Sequence, residues 1–167
     1  RGDVAFTRIS RGKVQLDDTD RVFLRDIIRD HERGLIVCGP NASRSVRFAL
    51  GVAELAQQVG YPIIADPLSG VRYLRHKSYG ASPVIIAGYD TYFSQLDFPS
   101  PDVVINFGAV PTSNALNTYL SSITPKVRYL INESGVWSND LYHLTEFIQA
   151  DPIEVCNVLY MSLVNVD

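Results

Sequence analysis

The apolar positions along the chain fall into two alternating rhythms. Thr19 to His31 (TDRVFLRDIIRDH) sets Val22, Phe23, Ile27 and Ile28 at helical spacing. The pattern predicts a helix capped by Asp18 or Thr19 and stopped by Gly34. Leu35 to Cys38 is a continuous apolar run, as in a parallel strand covered on both faces. Ser43 to Val59 returns to three- and four-residue steps and closes at Gly60, and Tyr61 to Ala65 (YPIIA) reads as the next strand. Strand, helix and strand make a βαβ unit.

The alternation continues with a predicted helical segment near Ser82 to Phe93, a strand from Asp102 to Gly108, a helix from Ser113 to Ser121 and a strand from Val127 to Ile131. A short strand near Leu144 to Ile148 precedes a last helix, for which Asp151, Pro152 and Glu154 offer a cap, a first-turn proline and a capping-box acid. Short connections between alternating elements predict an α/β fold: an open, mostly parallel, Rossmann-like sheet of five or six strands with helices on both faces.

Composition leaves this picture intact. The chain has 167 residues, 46% of them hydrophobic and 20% charged, with a net charge of −3. This is the balance of one ordinary globular domain. No basic stripe interleaved with aromatics supports nucleic-acid binding. No apolar run approaches the roughly 20 residues of a membrane span. Cys38 and Cys156 show no metal or disulfide spacing, which suggests two reduced thiols in a cytoplasmic protein. The opening RGDVAFTRIS is polar where an export signal would be apolar. The single methionine is Met161, so the chain reads as a piece of something larger.

The candidate chemistry starts at GLIVCGPNASRS, Gly34 to Ser45. Strand, glycine turn and helix N-terminus can cradle a phosphate. Here the turn fits neither GxGxxG nor GxxxxGK[ST], and Pro40 removes a backbone donor, so a purely structural turn is favoured. Asp66 stands where a dinucleotide fold places its ribose-binding acid. Pro67 follows it, and ADPLSG reads equally well as a turn in which Asp66 satisfies nearby backbone groups. Ser69 and Ser134 lack a nucleophile elbow; His31, His76 and His143 are scattered; Glu54, Glu133 and Glu146 read as solvated. No ligand spacing supports a metal. One cluster stands out, VRYLRHKS from Val71 to Ser78, with Arg72, Arg75, His76 and Lys77 within six residues after the second strand. Loops at the carboxyl end of parallel strands are where such sheets place ligands, and arginine suits carboxylate or phosphate. The alternative is a solvated basic loop or a subunit contact.

Four stretches, GLIVCGP, YPIIADPLSGVR, DVVINFGAVPTSNALNTYL and ESGVWSND, resemble in order the middle domain of 2-succinyl-5-enolpyruvyl-6-hydroxy-3-cyclohexene-1-carboxylate synthases, the MenD family of menaquinone biosynthesis. They run from about Gly34 to Asp140. The resemblance implies that residues 1–167 are a single middle domain, with 1–33 a leading segment and helix and 34–167 the sheet and its helices. It further implies a parent transferase of three α/β domains, dependent on thiamine diphosphate and Mg²⁺, that decarboxylates 2-oxoglutarate and joins the remainder to isochorismate. The cofactor would lie between the N-terminal and C-terminal domains of a homodimer or homotetramer. Neither the GDG…N signature nor the activating glutamate is present, so no catalytic, cofactor or metal residue is expected, and the fragment alone should be inactive. Where the family often carries a substrate-facing lysine, this chain has Asn114, leaving Thr112, Ser113 and Asn114 as a substrate-side loop. Arg72, Arg75 and Lys77 remain candidates for an anion or regulatory site that would take an aromatic carboxylate.

Overall fold

The computed structural model describes residues 10, 12–43, 45–72, 82–93, 98–137 and 144–164. Helix α1, Asp18–Arg29, leads into β1, Gly34–Cys38, followed by α2, Val46–Val59, and β2, Ile63–Ala65. Next come β3, Ile85–Ile86, α3, Tyr89–Phe93, β4, Val103–Phe107, α4, Asn114–Ser122, β5, Val127–Ile131, β6, Glu146–Ile148, and α5, Pro152–Val164. All pairings are parallel and the strand order is β3-β2-β1-β4-β5-β6. The order reverses between β1 and β4, which is the topological switch point of a doubly wound sheet.

Alternation along β1 explains how one short strand serves two cores. Ile36 and Cys38 join Phe48, Val52, Leu55, Val155 and Leu159 beneath α1, α2 and α5, while Leu35 and Val37 join Tyr89, Leu116 and Leu120 beneath α3 and α4. All of β1 is buried, as its unbroken apolar run predicts.

The departures from the sequence-based reading have local causes. Helix α1 is capped by Asp17, whose carboxylate accepts from the Asp20 N–H at 2.8 Å. Asp18 instead pairs with Arg21 at 2.8 Å one turn on, and the helix ends at Arg29, well before Gly34. Helix α2 starts at Val46 with Ser45 as its cap, and Gly60 ends it at φ 72°, as expected of a left-handed C-cap. The segment expected to be helical near Ser82 to Phe93 holds the edge strand β3 and the one-turn α3. Pro83 and the run Val84-Ile85-Ile86 favour extended backbone there. In α5, Asp151 caps as expected, accepting from the Ile153 N–H at 2.9 Å. Glu154 does not close a capping box: it binds Lys13 at 2.7 Å, and the Asp151 N–H donates to the Val14 carbonyl at 2.9 Å.

One feature of β5 escaped the pattern altogether. Arg128 is only 1% exposed, and its guanidinium donates to the Leu120 carbonyl at 2.7 Å, in the last turn of α4. A cation at a helix C-terminus is favoured by the dipole and by an otherwise orphaned carbonyl. Burial lowers the arginine's proton affinity, and its Nε has no partner among the described residues.

Both cysteines are free and fully buried, and burial pushes both thiols far above their ordinary range. A thiol-reactive dye is therefore expected to label neither in the folded chain and both once denaturant unfolds it. Rapid stoichiometric labelling under native conditions would contradict this burial.

Candidate functional site at the carboxyl edge of the sheet

At the switch point, the turns that follow β1 and β4 are packed backbone to backbone. The Gly39 N–H donates to the Phe107 carbonyl at 2.9 Å and the Ala109 N–H to the Pro40 carbonyl at 2.8 Å. Gly108, at φ 81°, donates to the Ile131 carbonyl at 3.3 Å. A Cβ on Gly39 would lie 1.9 Å from the Ala109 oxygen. One on Gly108 would lie 2.6 Å from both the Ala42 nitrogen and the Pro40 oxygen. These glycines bring two stretches of the protein's own backbone together rather than admitting a pyrophosphate.

At the N-terminus of the helix that would face a phosphate, some donors already have partners. The Ala42 N–H donates to Gly39 O at 3.3 Å, Ser45 N–H to Ser43 Oγ at 3.2 Å, and Arg47 N–H to Ser45 Oγ at 3.2 Å. Pro40 contributes no donor. Among the described residues no group of three His, Cys, Asp or Glu could hold a metal. Gly39 and Gly108 thus meet backbone where a glycine cradle for a diphosphate would need open space.

Asp66 is fully buried at the end of β2. Its Oδ1 accepts from the Leu68 N–H at 2.8 Å. Its Oδ2 accepts from both the N–H and the hydroxyl of Thr112, at 2.9 and 2.8 Å. The Asp66 carbonyl takes the Ser69 N–H at 3.0 Å and the Ser69 hydroxyl at 2.7 Å. The turn reading of ADPLSG accounts for Leu68 and Ser69. The bridge to Thr112 was not foreseen, because its partners lie 46 residues apart.

Thr112 and Asn114 are exposed and Ser113 is half-buried. Ser113 caps α4, accepting from the Leu116 N–H at 3.1 Å, and its hydroxyl donates to Asp90. Asp90, at the start of α3, was also unforeseen, because its stretch read as the interior of a longer helix. The candidate substrate-side loop is thus held at Thr112 and Ser113, and Asn114 opens α4 at the surface.

The basic cluster is only partly visible. Arg75, His76 and Lys77 lie outside the described residues, as does His143. Arg72 is half-buried and donates to the Ala87 carbonyl at 2.6 Å, which braces the end of the β2 loop against the segment after β3.

The remaining candidates take structural places. Ser69 also accepts from the Val71 N–H at 3.2 Å, and Ser134 shares the Asn132 carboxamide in a tight turn. His31 Nδ1 donates to the Ile27 carbonyl at 2.8 Å. Glu54 and Glu133 are exposed, as expected. Glu146 departs from the expectation of a solvated acid: it is half-buried on β6, and burial, followed by the charge of Asp20, raises its pKa.

No family model matches the chain. Among curated proteins it is 43% identical over 129 residues to the 2-succinyl-5-enolpyruvyl-6-hydroxy-3-cyclohexene-1-carboxylate synthase of Roseiflexus sp. (strain RS-1), covering 77% of this chain and 21% of that one. The synthase of the same name from Haloquadratum walsbyi is 38% identical over 156 residues, or 92% of this chain and 24% of its own. That of Bacillus cytotoxicus is 32% identical over 158 residues, or 91% and 26%. The chain belongs to this synthase family.

It spans about a fifth to a quarter of the length of these relatives. A solved Mycobacterium smegmatis protein, described as a thiamin diphosphate-dependent enzyme, superposes with a TM-score of 0.56 at 20% identity. It covers 96% of this chain and 30% of its own, and it supports the fold. Among the described residues no helix is long and apolar enough to cross a membrane.

Proposed function

We propose that this chain is the noncatalytic middle domain of a thiamine-diphosphate- and Mg²⁺-dependent transferase that decarboxylates 2-oxoglutarate and adds the product to isochorismate in menaquinone biosynthesis. The domain spaces the N-terminal and C-terminal domains of the same polypeptide, which hold the cofactor, within a cytoplasmic homodimer or homotetramer. It lends Thr112, Ser113 and Asn114 to the isochorismate side of the pocket. The observation that carries this reading is the closed switch point: a doubly wound sheet whose nucleotide crevice is filled by its own turns is suited to a scaffold. The sequence relationship to the synthases supplies the chemistry of the whole.

The test has two arms. The full-length polypeptide, supplied with thiamine diphosphate and Mg²⁺, should consume 2-oxoglutarate and isochorismate together. The isolated chain should bind neither cofactor nor metal in a calorimeter, and stoichiometric binding there would overturn the assignment.

Two other readings make different predictions. A free-standing nucleotide-binding domain would be stabilised by its ligand, by about 2.7 kcal/mol at a hundred times the dissociation constant. With Gly39 and Gly108 packed against backbone and no donor on Pro40, NAD, FAD and ADP at millimolar concentration are expected to leave the melting temperature of the isolated chain unchanged. A regulatory module for an aromatic carboxylate would use Arg72, Arg75 and Lys77, and the bond from Arg72 to Ala87 favours a brace for that loop instead.

A further inference from the structure

We infer that Asp66 is a positioning residue for the second substrate: its buried carboxylate fixes the backbone of Thr112 and so sets where the Thr112 to Asn114 loop meets isochorismate. This rests on the proposed substrate-side role of that loop. The geometry is specific. One carboxylate, fully buried, takes three hydrogen bonds at 2.8 to 2.9 Å, and two of them come from the same residue of a loop 46 positions away. Ser113 and Asn114 follow directly, the first capping α4 and the second opening it. A shift of Thr112 therefore moves both the loop and the first turn of the helix. Two further ties hold the same loop: the hydroxyl of Ser113 donates to Asp90, and the Asn117 carboxamide donates to the Pro111 carbonyl at 2.9 Å. The bridge from Asp66 acts on Thr112 itself.

An ionised carboxylate accepts on both oxygens, which is what three converging donors require. Asparagine offers one acceptor oxygen and turns an NH₂ toward either the Leu68 N–H or the two donors of Thr112. One side of the knot must then open. Small displacements of a positioning loop act strongly on the encounter of reacting groups.

The test uses steady-state kinetics of the full-length enzyme with each substrate varied in turn. Asp66→Asn and Thr112→Val are expected to raise KM for isochorismate by about ten- to a hundredfold while KM for 2-oxoglutarate stays unchanged, and Thr112→Ser should restore it. Thr112→Val keeps the backbone donor and the side-chain shape, so it remains informative if Asp66→Asn fails to fold. Asn114→Ala separates the two layers of the argument. If it raises KM for isochorismate and Thr112→Val does not, the loop faces substrate but the positioning role is wrong. If Asn114→Ala leaves that KM unchanged, the substrate-side reading fails and the inference falls with it. Equal losses toward both substrates in Thr112→Val would mark a purely structural contact and overturn the proposal.

Discussion

Replacing Gly108 with alanine is expected to destabilise the isolated chain by about 3 kcal/mol, a fall in melting temperature of roughly 10 °C. Two effects combine at this position. The residue sits at φ 81°, where a side chain is strained whatever the surroundings. A Cβ there would also lie 2.6 to 2.7 Å from the backbone of Pro40 and Ala42, and backbone cannot rotate aside as a flexible side chain can. The two effects can be separated with other glycines of the same chain. Gly60 has φ 72° with nothing within 4 Å, so alanine there should cost about 1 kcal/mol from conformation alone. Gly12 has open space and no positive φ, so alanine should be close to neutral. A Gly108→Ala chain that melts no lower than Gly60→Ala would show that the two turns are not in contact, and the closed crevice would have to be abandoned.

The same junction shows where sequence reading reached and where it stopped. GLIVCGPNASRS and FGAVP each announce a turn after a strand, because glycine and proline punctuate the apolar run. That the turns meet depends on β1 and β4 being neighbours, a pairing of strands that lie 65 or more residues apart in the chain. Helix α2 and strand β5 were legible because their apolar spacing is strong and their ends carry clear signals such as Gly60. Strand β3 was not, because two residues give no periodicity and an apolar run that short fits helix or strand alike. Helix starts slid by one to three residues wherever several capping residues stand together, as at Asp17, Asp18 and Thr19.

The candidate site was legible by its parts. Asp66 and Thr112 were each singled out, one as a turn residue and the other through a family resemblance, but no local pattern couples them. Arg128 shows another limit: nothing in VRYLI tells where its charge goes, and the guanidinium is buried against the Leu120 carbonyl at the end of α4.

The second large effect is expected where the chain enters the sheet. The Tyr61 ring packs so closely over Gly34 that a Cβ there would lie 2.0 Å from its Cε2. The ring is 2% exposed, and its hydroxyl donates to the Ile28 carbonyl at 3.2 Å and to that of His31, both near the end of α1. Burial, with a smaller contribution from the charge of Asp102, raises the phenol to about 12, so it remains a donor at any ordinary pH. Tyr61 thus ties α1 to the first strand, and only glycine at position 34 leaves room for it. Gly34→Ala should cost about 3 kcal/mol by forcing the ring off its carbonyl partners. Tyr61→Ala should cost about 3 to 5 kcal/mol through the cavity and the lost hydrogen bonds. With the ring gone, the new methyl group has space, so the double variant should be more stable than the sum of the two losses by about 2 kcal/mol. Denaturant unfolding of the four chains measures that coupling. Additivity within about 0.5 kcal/mol would mean that ring and glycine do not share the space, and the tie between α1 and β1 would need another source.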